Sequence, residues 1–277
     1  MKRIGLLIVL LCGGVFLFYT MDFPGWGDVN SPASTHLSPY YITHAESDMA
    51  VPNLVSAVLA DYRGYDTLFE TAVIFSAGLA CFFLLRVRRN RQPKIQLFRH
   101  LPTGVTLHIE AGGKLPPEDS AVFKRIDSDW TPHDTIIMTS ARLIIPFIQL
   151  FGLYVVAHGH HSPGGGFQGG VILGASIILY ALTHDLRGAI RRVSERFASV
   201  SAALGVLIYA GTGALCMLFG ADFLNYSALA PLLGGDPVMA RSHGILMIEV
   251  GVALAVMAVM IWIYYNLSSS GKHDEGL

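Results

Sequence analysis

Apolar and polar residues in this chain are sorted into long blocks, not turn-by-turn stripes. Six blocks are almost wholly apolar: residues 4–20, 67–85, 137–157, 167–184, 199–219 and 243–265. About 20 apolar residues in helical form cross the hydrocarbon core of a bilayer. Each block therefore predicts one transmembrane helix, and the chain reads as an all-α, polytopic integral membrane protein with about six spans. Residues 52–60 form a seventh apolar piece that is too short to cross. Asp61, Arg63 and Gly64 interrupt it, so it predicts a re-entrant or interfacial half-helix.

The polar stretches divide the chain. Residues 21–51 are rich in Pro, Gly and Ser and predict a loop. Residues 86–132 are soluble in character, with Pro102, Pro116 and Pro117; residues 105–111 have a strand-like pattern but no evident core to lie on. Residues 185–197 form a basic connector, and a loop with Pro231, Gly234, Gly235 and Pro237 separates the last two spans. The expected organisation is a two-helix membrane module over 1–86 and a soluble cytoplasmic linker over 87–135. A four-helix module over 136–266 and a disordered tail over 267–277 complete it.

Composition agrees with this reading. The 277 residues are 52 % hydrophobic and 14 % charged, against about 25 % charged in soluble domains. A net charge of −1 gives no reason to expect a nucleic-acid partner. Cys12, Cys81 and Cys216 lie in apolar blocks without CxxC spacing, so they read as small packing residues. Lys2 and Arg3 precede the first block, as in a signal peptide. No small-x-small cleavage pattern follows, and Leu10 and Leu11 before Cys12 exclude a lipoprotein site, so an uncleaved helix is expected.

The positive charges are distributed on one side. With the N-terminus in the cytoplasm, several groups fall inside. They are Lys2, Arg3, the run Arg86, Arg88, Arg89, Arg91, Lys94 and Arg99, then Lys114, Lys124, Arg125, the cluster Arg187, Arg191, Arg192 and Arg196, and Lys272. Arg142 joins them at the inner end of the third span. Only Arg63 and Arg241 fall outside. The positive-inside rule thus predicts a multi-pass protein of the inner (plasma) membrane, surrounded by lipid, with both termini cytoplasmic.

Between the third and fourth spans runs HGHHSPGGGFQGGVILGA. Gly166, Gly170 and Gly174 recur every fourth residue, so they bare one face of a helix to a close neighbour. The run resembles the G-H-x-x-P-G-G-G-F-x-G-G signature of the MnhB/MrpB-type subunits of Mrp/Mnh-type multisubunit sodium/proton antiporters. The matching positions are Gly159, His160, Pro163, Gly164, Gly165, Gly166, Phe167, Gly169 and Gly170, and the resemblance covers residues 135–265. A second run, D-x-R-G-x-D-T-x-x-E, is carried by Asp61, Arg63, Gly64, Asp66, Thr67 and Glu70. It resembles the C-terminal end of the large A-type antiporter subunits and the small E-type subunits of membrane-bound hydrogenases.

Ionisable groups within lipid cost roughly 2.5–3.5 kcal/mol on insertion scales, which makes Glu70 and Glu249 candidates for handling ions. Both lie about 8–9 Å above the middle of helices that run from outside to inside, at 1.5 Å per residue. Asp66, one turn outward from Glu70, extends an acidic ladder to the surface. The alternative reading for all three is a structural hydrogen bond or an ion pair with a neighbouring subunit. The resemblance favours Glu249, because MnhB/MrpB-type chains carry an acidic residue before Gly-Val in their last helix, as MIEVGV does here.

Gln149 lies near mid-membrane on the face of Arg142, close to the carbonyl freed by Pro146; packing and path-lining weigh equally. His158, His160 and His161 are set against three roles. No third ligand stands at metal spacing, so no metal site is expected, while a proton-accepting loop and interfacial hydrogen bonding both remain open. Gly164, Gly166 and Gly169 fit G-x-G-x-x-G, but a dinucleotide fingerprint needs a strand before it and a βαβ unit, both missing here. No haem or iron–sulfur ligation pattern occurs, so no cofactor and no catalytic residue are expected.

These readings converge on an accessory membrane subunit of a multisubunit Na+/H+ antiporter, not an enzyme in itself. It would contribute to assembly with other subunits and to part of a path for Na+ and H+. With no intramembrane lysine it lacks the central charge of the large antiporter-like subunits. Two alternatives stand: a component of the antiporter module of a membrane-bound hydrogenase or related redox complex, and a purely structural membrane anchor.

Overall fold

A computed structural model describes residues 2–85, 96–109, 113–117, 120–125 and 135–269. The basic run Arg86, Arg88, Arg89, Arg91 and Lys94, and also Lys272, lie outside the described residues. By its internal contacts the chain divides into two units, residues 1–48 and 49–277.

In the first unit, α1 (Lys2–Tyr19) displays its apolar side chains on all sides, as a helix surrounded by lipid does. The stretch expected to be a loop is largely helical. A π-helical turn at Ala33–Leu37 leads into α2 (Ser38–Met49). Pro32 opens this helical run, where a missing N–H costs nothing, and Pro39 lies inside it, just after the π-helical turn.

The second unit begins with α3 (Leu54–Ala57), capped by Asn53, and a π-helical turn at Val58–Tyr62. These form the short helical piece expected over residues 52–60. After a break at Arg63, α4 (Gly64–Leu85) runs the length of a span. The break and the π-turn present backbone carbonyls for capture from outside the helix. Thr67 donates to Leu59 (2.8 Å), Tyr226 to Ala60 (3.0 Å) and Tyr209 to Gly64 (2.7 Å). Arg241 adds an ion pair with Asp61. Irregular backbone at membrane depth is tolerated only where neighbours satisfy it in this way.

The linker holds structure of its own. Strands β1 (Gln96–His100), β2 (Thr106–Ile109) and β3 (Phe123–Arg125) form an antiparallel sheet in the order β2-β1-β3. Phe98 stands opposite both Leu107 and Arg125 and is buried. His100 packs its ring on Phe123 at 4.9 Å. The expectation of no core there overlooked these two aromatic positions. The sheet is small, and the described chain remains predominantly helical.

Four more spans follow: α5 (Thr135–Ala157), α6 (Gly166–His184), α8 (Glu195–Leu218) and α10 (Pro237–Ser268). The basic connector forms a short helix, α7 (Leu186–Arg192), and Ser194 caps α8 by accepting from the Phe197 N–H. A 3-10 turn (Tyr226–Leu229) and α9 (Ala230–Leu233) occupy the expected loop before α10. α10 extends through Leu267 and Ser268, so helix reaches into the expected tail; residues 270–277 lie outside the description.

α10 is the axis of this unit. Two-thirds of its apolar window is buried (67 %), against 39 % for α6 and α8 and 11 % for α4. Glycine makes the close approaches possible. A Cβ on Gly170 would lie 2.7 Å from the Ala253 carbonyl oxygen, and one on Gly174 3.2 Å from that of Met257. A Cβ on Gly205 would lie 2.6 Å from the Ala255 nitrogen. Ser201 and Gly205 of α8 are both buried, whereas Ala214, further along the same helix, is exposed.

Candidate functional site

The glycine–histidine segment between α5 and α6 turns back on itself and opens α6. Gly164 and Gly165 hold positive φ, +149° and +141°, a region that side chains rarely enter. The turn seats one carboxylate. A Cβ on Gly159 would lie 2.6 Å from Oε2 of Glu249, one on Gly165 would lie 2.9 Å from Oε1, and one on Gly166 would overlap the Glu249 backbone carbonyl. Gly159 and Gly165 of the signature are therefore walls around the Glu249 carboxylate, whereas Gly166, Gly170 and Gly174 meet the α10 backbone, as helix packing requires.

Glu249 is 7 % exposed. Its Oε1 accepts from the Ser56 hydroxyl at 2.9 Å. Its Oε2 has no hydrogen-bond partner among the described residues and faces Nδ1 of His160 at 3.9 Å. His160 is itself buried, and Nε2 lies 2.9 Å from the Ser242 carbonyl oxygen. A carbonyl only accepts, so Nε2 carries the proton and Nδ1 of the neutral ring keeps its lone pair toward Glu249. Burial holds the His160 pKa below its usual 6.5, outweighing the bond to Ser242, and the neighbouring His161 and His243 push the same way as burial.

Asn53 holds the segment in place from the other side. Its backbone N–H donates to the His160 carbonyl (2.9 Å), and its side-chain amide donates to the carbonyls of Gly159 (2.7 Å) and Ser162 (2.8 Å). Ser56, one turn along α3, reaches both Gly159 and Glu249. The short helix before α4 is thus built into the site.

A cavity of about 420 Å³ lies beside the carboxylate. Its polar lining is Ser56, Thr67, Glu70, Gln168, Tyr209 and Glu249, with Gly164, Gly165, Gly166 and Phe167 on the loop side. Glu70 and Glu249, from two helices far apart in sequence, therefore meet one space, though Glu70 is exposed on its helix and Glu249 is not.

Other expected site residues lie elsewhere. Asp66 is not in the cavity lining and forms an ion pair with Arg63, so the ladder above Glu70 does not continue into this site. His158 is exposed and stacks on Tyr154 at 4.1 Å. Gln149 is half-buried on α5, away from the cavity lining, and Pro163 is exposed on the loop. Gly169 belongs to the α5–α6 contact, where a Cβ would lie 3.0 Å from the Gly152 carbonyl oxygen. Asn53, Ser56, Thr67, Tyr209 and Gln168 were not singled out as site residues from the sequence. Two of them carried a signal: Thr67 as a position of the second run, and Asn53 as a capping residue before an apolar run.

Comparison with known proteins gives two family matches. A family model described as a domain related to the MnhB subunit of Na+/H+ antiporter matches residues 136–262, and the MbhE model, for the E-type subunit of MBH, matches residues 4–100. The B-type subunit of the Na(+)/H(+) antiporter of Bacillus subtilis (strain 168) is 32 % identical over 131 residues, 45 % of this chain and 91 % of that protein. The putative antiporter subunit mnhB2 of Staphylococcus aureus (strain Newman) is 28 % identical over 138 residues, 49 % and 95 % of the two chains.

Two solved structures share the fold. A chain in the structure of the membrane-bound sulfane sulfur reductase, an archaeal respiratory membrane complex, matches with TM-score 0.52 and 22 % identity over 94 % of this chain and 97 % of its own. A chain in the structure of the Mrp complex from Dietzia sp. DQ12-45-1b matches with TM-score 0.52 and 26 % identity over 95 % of this chain. The present chain spans 25 % of that longer one.

Proposed function

This chain belongs to the family of MnhB-type subunits of Na+/H+ antiporters, and from that premise we propose that it lends a carboxylate-lined segment of the ion path to a cation/proton antiporter assembly. It is a multi-pass membrane protein, with six helices long and apolar enough to span among the described residues. In the proposed arrangement it sits in the inner (plasma) membrane with both termini cytoplasmic, packs against other membrane subunits, and contributes to their assembly. Na+ and H+ are the ions it passes on.

The observation that carries the reading is Glu249: a buried carboxylate with one oxygen bonded and the other unpartnered among the described residues, beside a cavity that Glu70 also lines. An unpaired buried charge is expensive. The carboxylate is neutralised by a proton or by a cation at the unpartnered oxygen, and it does not hold both at once. That competition is the exchange an antiporter requires. His160, whose Nδ1 lone pair faces the same oxygen, stands where a proton entering or leaving would pause.

The test is Glu249→Gln in the assembled complex. It keeps shape and hydrogen bonding to Ser56 but removes the charge. The complex assembles, and cation-dependent proton exchange in vesicles falls by roughly tenfold or more, a change of about 1.4 kcal/mol. Glu249→Asp retains part of the activity. Normal exchange by Glu249→Gln across the working pH range would leave the residue structural and the chain a membrane anchor.

A second reading is favoured by the N-terminal match to the MbhE model: the same path would serve the antiporter module of a redox-driven complex. Purification of the intact complex and identification of its subunits separates the two.

A further inference from the structure

Ser56 occupies an unusual position in the hydrogen-bond network. Its Oγ lies 2.9 Å from Oε1 of Glu249 and 2.8 Å from the carbonyl oxygen of Gly159. Ser56 is buried, 4 % exposed. A hydroxyl has one proton and two lone pairs, so Ser56 donates to one of these acceptors at a time. Gly159 tolerates being left, because the Asn53 amide donates to the same carbonyl at 2.7 Å. The same amide nitrogen lies 2.8 Å from the Ser162 carbonyl oxygen and 3.1 Å from Ser56 Oγ. Asn53 therefore fixes the loop whichever way Ser56 turns.

We propose that Ser56 is a reversible adapter for the protonation state of Glu249. With Glu249 charged, the hydroxyl donates to Oε1. With Glu249 protonated on Oε1, the carboxyl donates to Ser56 Oγ, and the hydroxyl turns to donate to the Gly159 carbonyl. No covalent bond changes beyond the one proton bound by Glu249. In both states every polar atom on this side of the carboxyl is satisfied, so neither state suffers the penalty of a buried orphan group. Oε2 remains the oxygen open to exchange.

The adapter joins the two modules of the chain. Asn53 and Ser56 belong to the segment matched by the MbhE model, while Gly159 and Glu249 belong to the MnhB-related domain. Protonation of Glu249 adds a second donor to the Gly159 carbonyl and so strengthens the tie between α3 and the glycine loop. The titratable groups that face Glu249 are His160 from that loop and, around the cavity, Glu70 from α4 and Tyr209 from α8. Ser56 supplies the direct hydrogen bond.

The inference rests on the ion-path reading of Glu249, and its test is separable from that reading. The measurement is infrared difference spectroscopy of the purified complex on a pH step. The carboxylic C=O band lost in Glu249→Gln belongs to Glu249. Ser56→Ala removes the partner of the carboxyl O–H and moves that band to higher frequency. Ser56→Cys keeps the volume with a weaker partner and moves it the same way by less; it serves alone should the alanine variant fail to assemble. In the Glu249→Gln background, Ser56→Ala produces no further change in exchange rate. A Glu249 band at the wild-type frequency in both Ser56 variants overturns the adapter while leaving the exchange result for Glu249→Gln untouched. Absence of any Glu249 carboxyl band in the wild type overturns it as well.

Discussion

At the scale of single residues, the chemistry gathers where a long-range contact meets a glycine. Glu249 was legible as a candidate because it is a carboxylate in an apolar block. Gly159 and Gly165 were legible as a signature, but their purpose was not. That purpose depends on Glu249 lying against them from a helix far along the chain. Ser56 was illegible for the same reason: its partners stand 103 and 193 positions away. His160 gives a prediction of its own. Burial lowers its pKa from the usual 6.5, so the folded chain holds the ring neutral where the unfolded chain would already be protonated. Stability contributed by the neutral ring is present above the ordinary histidine value and lost as pH falls below about 6.5. The thermal midpoint of the complex in detergent should therefore drop on acidification. His160→Gln, which is neutral at every pH, should flatten that drop relative to wild type. An identical pH dependence in the variant would show that His160 does not report on folding.

At the scale of elements, the spans were read correctly in number and position because block length alone decides them. Their ends were not, because capping decides ends. Asp236 caps α10 by accepting from the Val238 N–H, with Pro237 at the first helical position, so that helix begins before the apolar block does. The short helices α2 and α7 escaped notice because they are polar and their signals are proline placement and charge. The glycine face of α6 was readable from its four-residue spacing, and the structure supplies its partner, the backbone of α10 at Ala253 and Met257 within the same chain. Gly170→Leu therefore acts on the fold of this chain. Overpacking of a close contact costs about 1–3 kcal/mol, and here backbone stands in the way on the α10 side. The expected outcome is a lower melting temperature of the extracted complex, with this chain recovered in reduced amount. Gly211→Leu on α8, where an added Cβ meets nothing within 4 Å among the described residues, is the matched control and should assemble normally. Equal recovery of the two variants would remove α6–α10 packing as the explanation of the glycine spacing.

At the scale of the whole molecule, the orientation across the membrane is the property on which the functional reading depends. In the proposed orientation, which follows the positive-inside rule, the α6–α8 connection with Arg187, Arg191, Arg192 and Arg196 is cytoplasmic. Arg192 lies over the Tyr180 ring at 4.4 Å, an arrangement suited to the end of a span. The two cations assigned to the opposite side, Arg63 and Arg241, are each paired with a carboxylate, Asp66 and Asp61. The same orientation puts the glycine–histidine loop, and with it the way to Glu249, toward the outside. Single cysteines in a chain whose Cys12, Cys81 and Cys216 have been replaced test this directly. His161 and Arg191 are both exposed and lie at opposite ends of the helices around α6. In intact cells, a membrane-impermeant maleimide should label His161→Cys and spare Arg191→Cys, and opening the cells should expose the second. The reverse pattern would place the loop in the cytoplasm and turn the Glu249 path to face the inner solution. Labelling of both positions in intact cells would mean that α6 does not cross the bilayer.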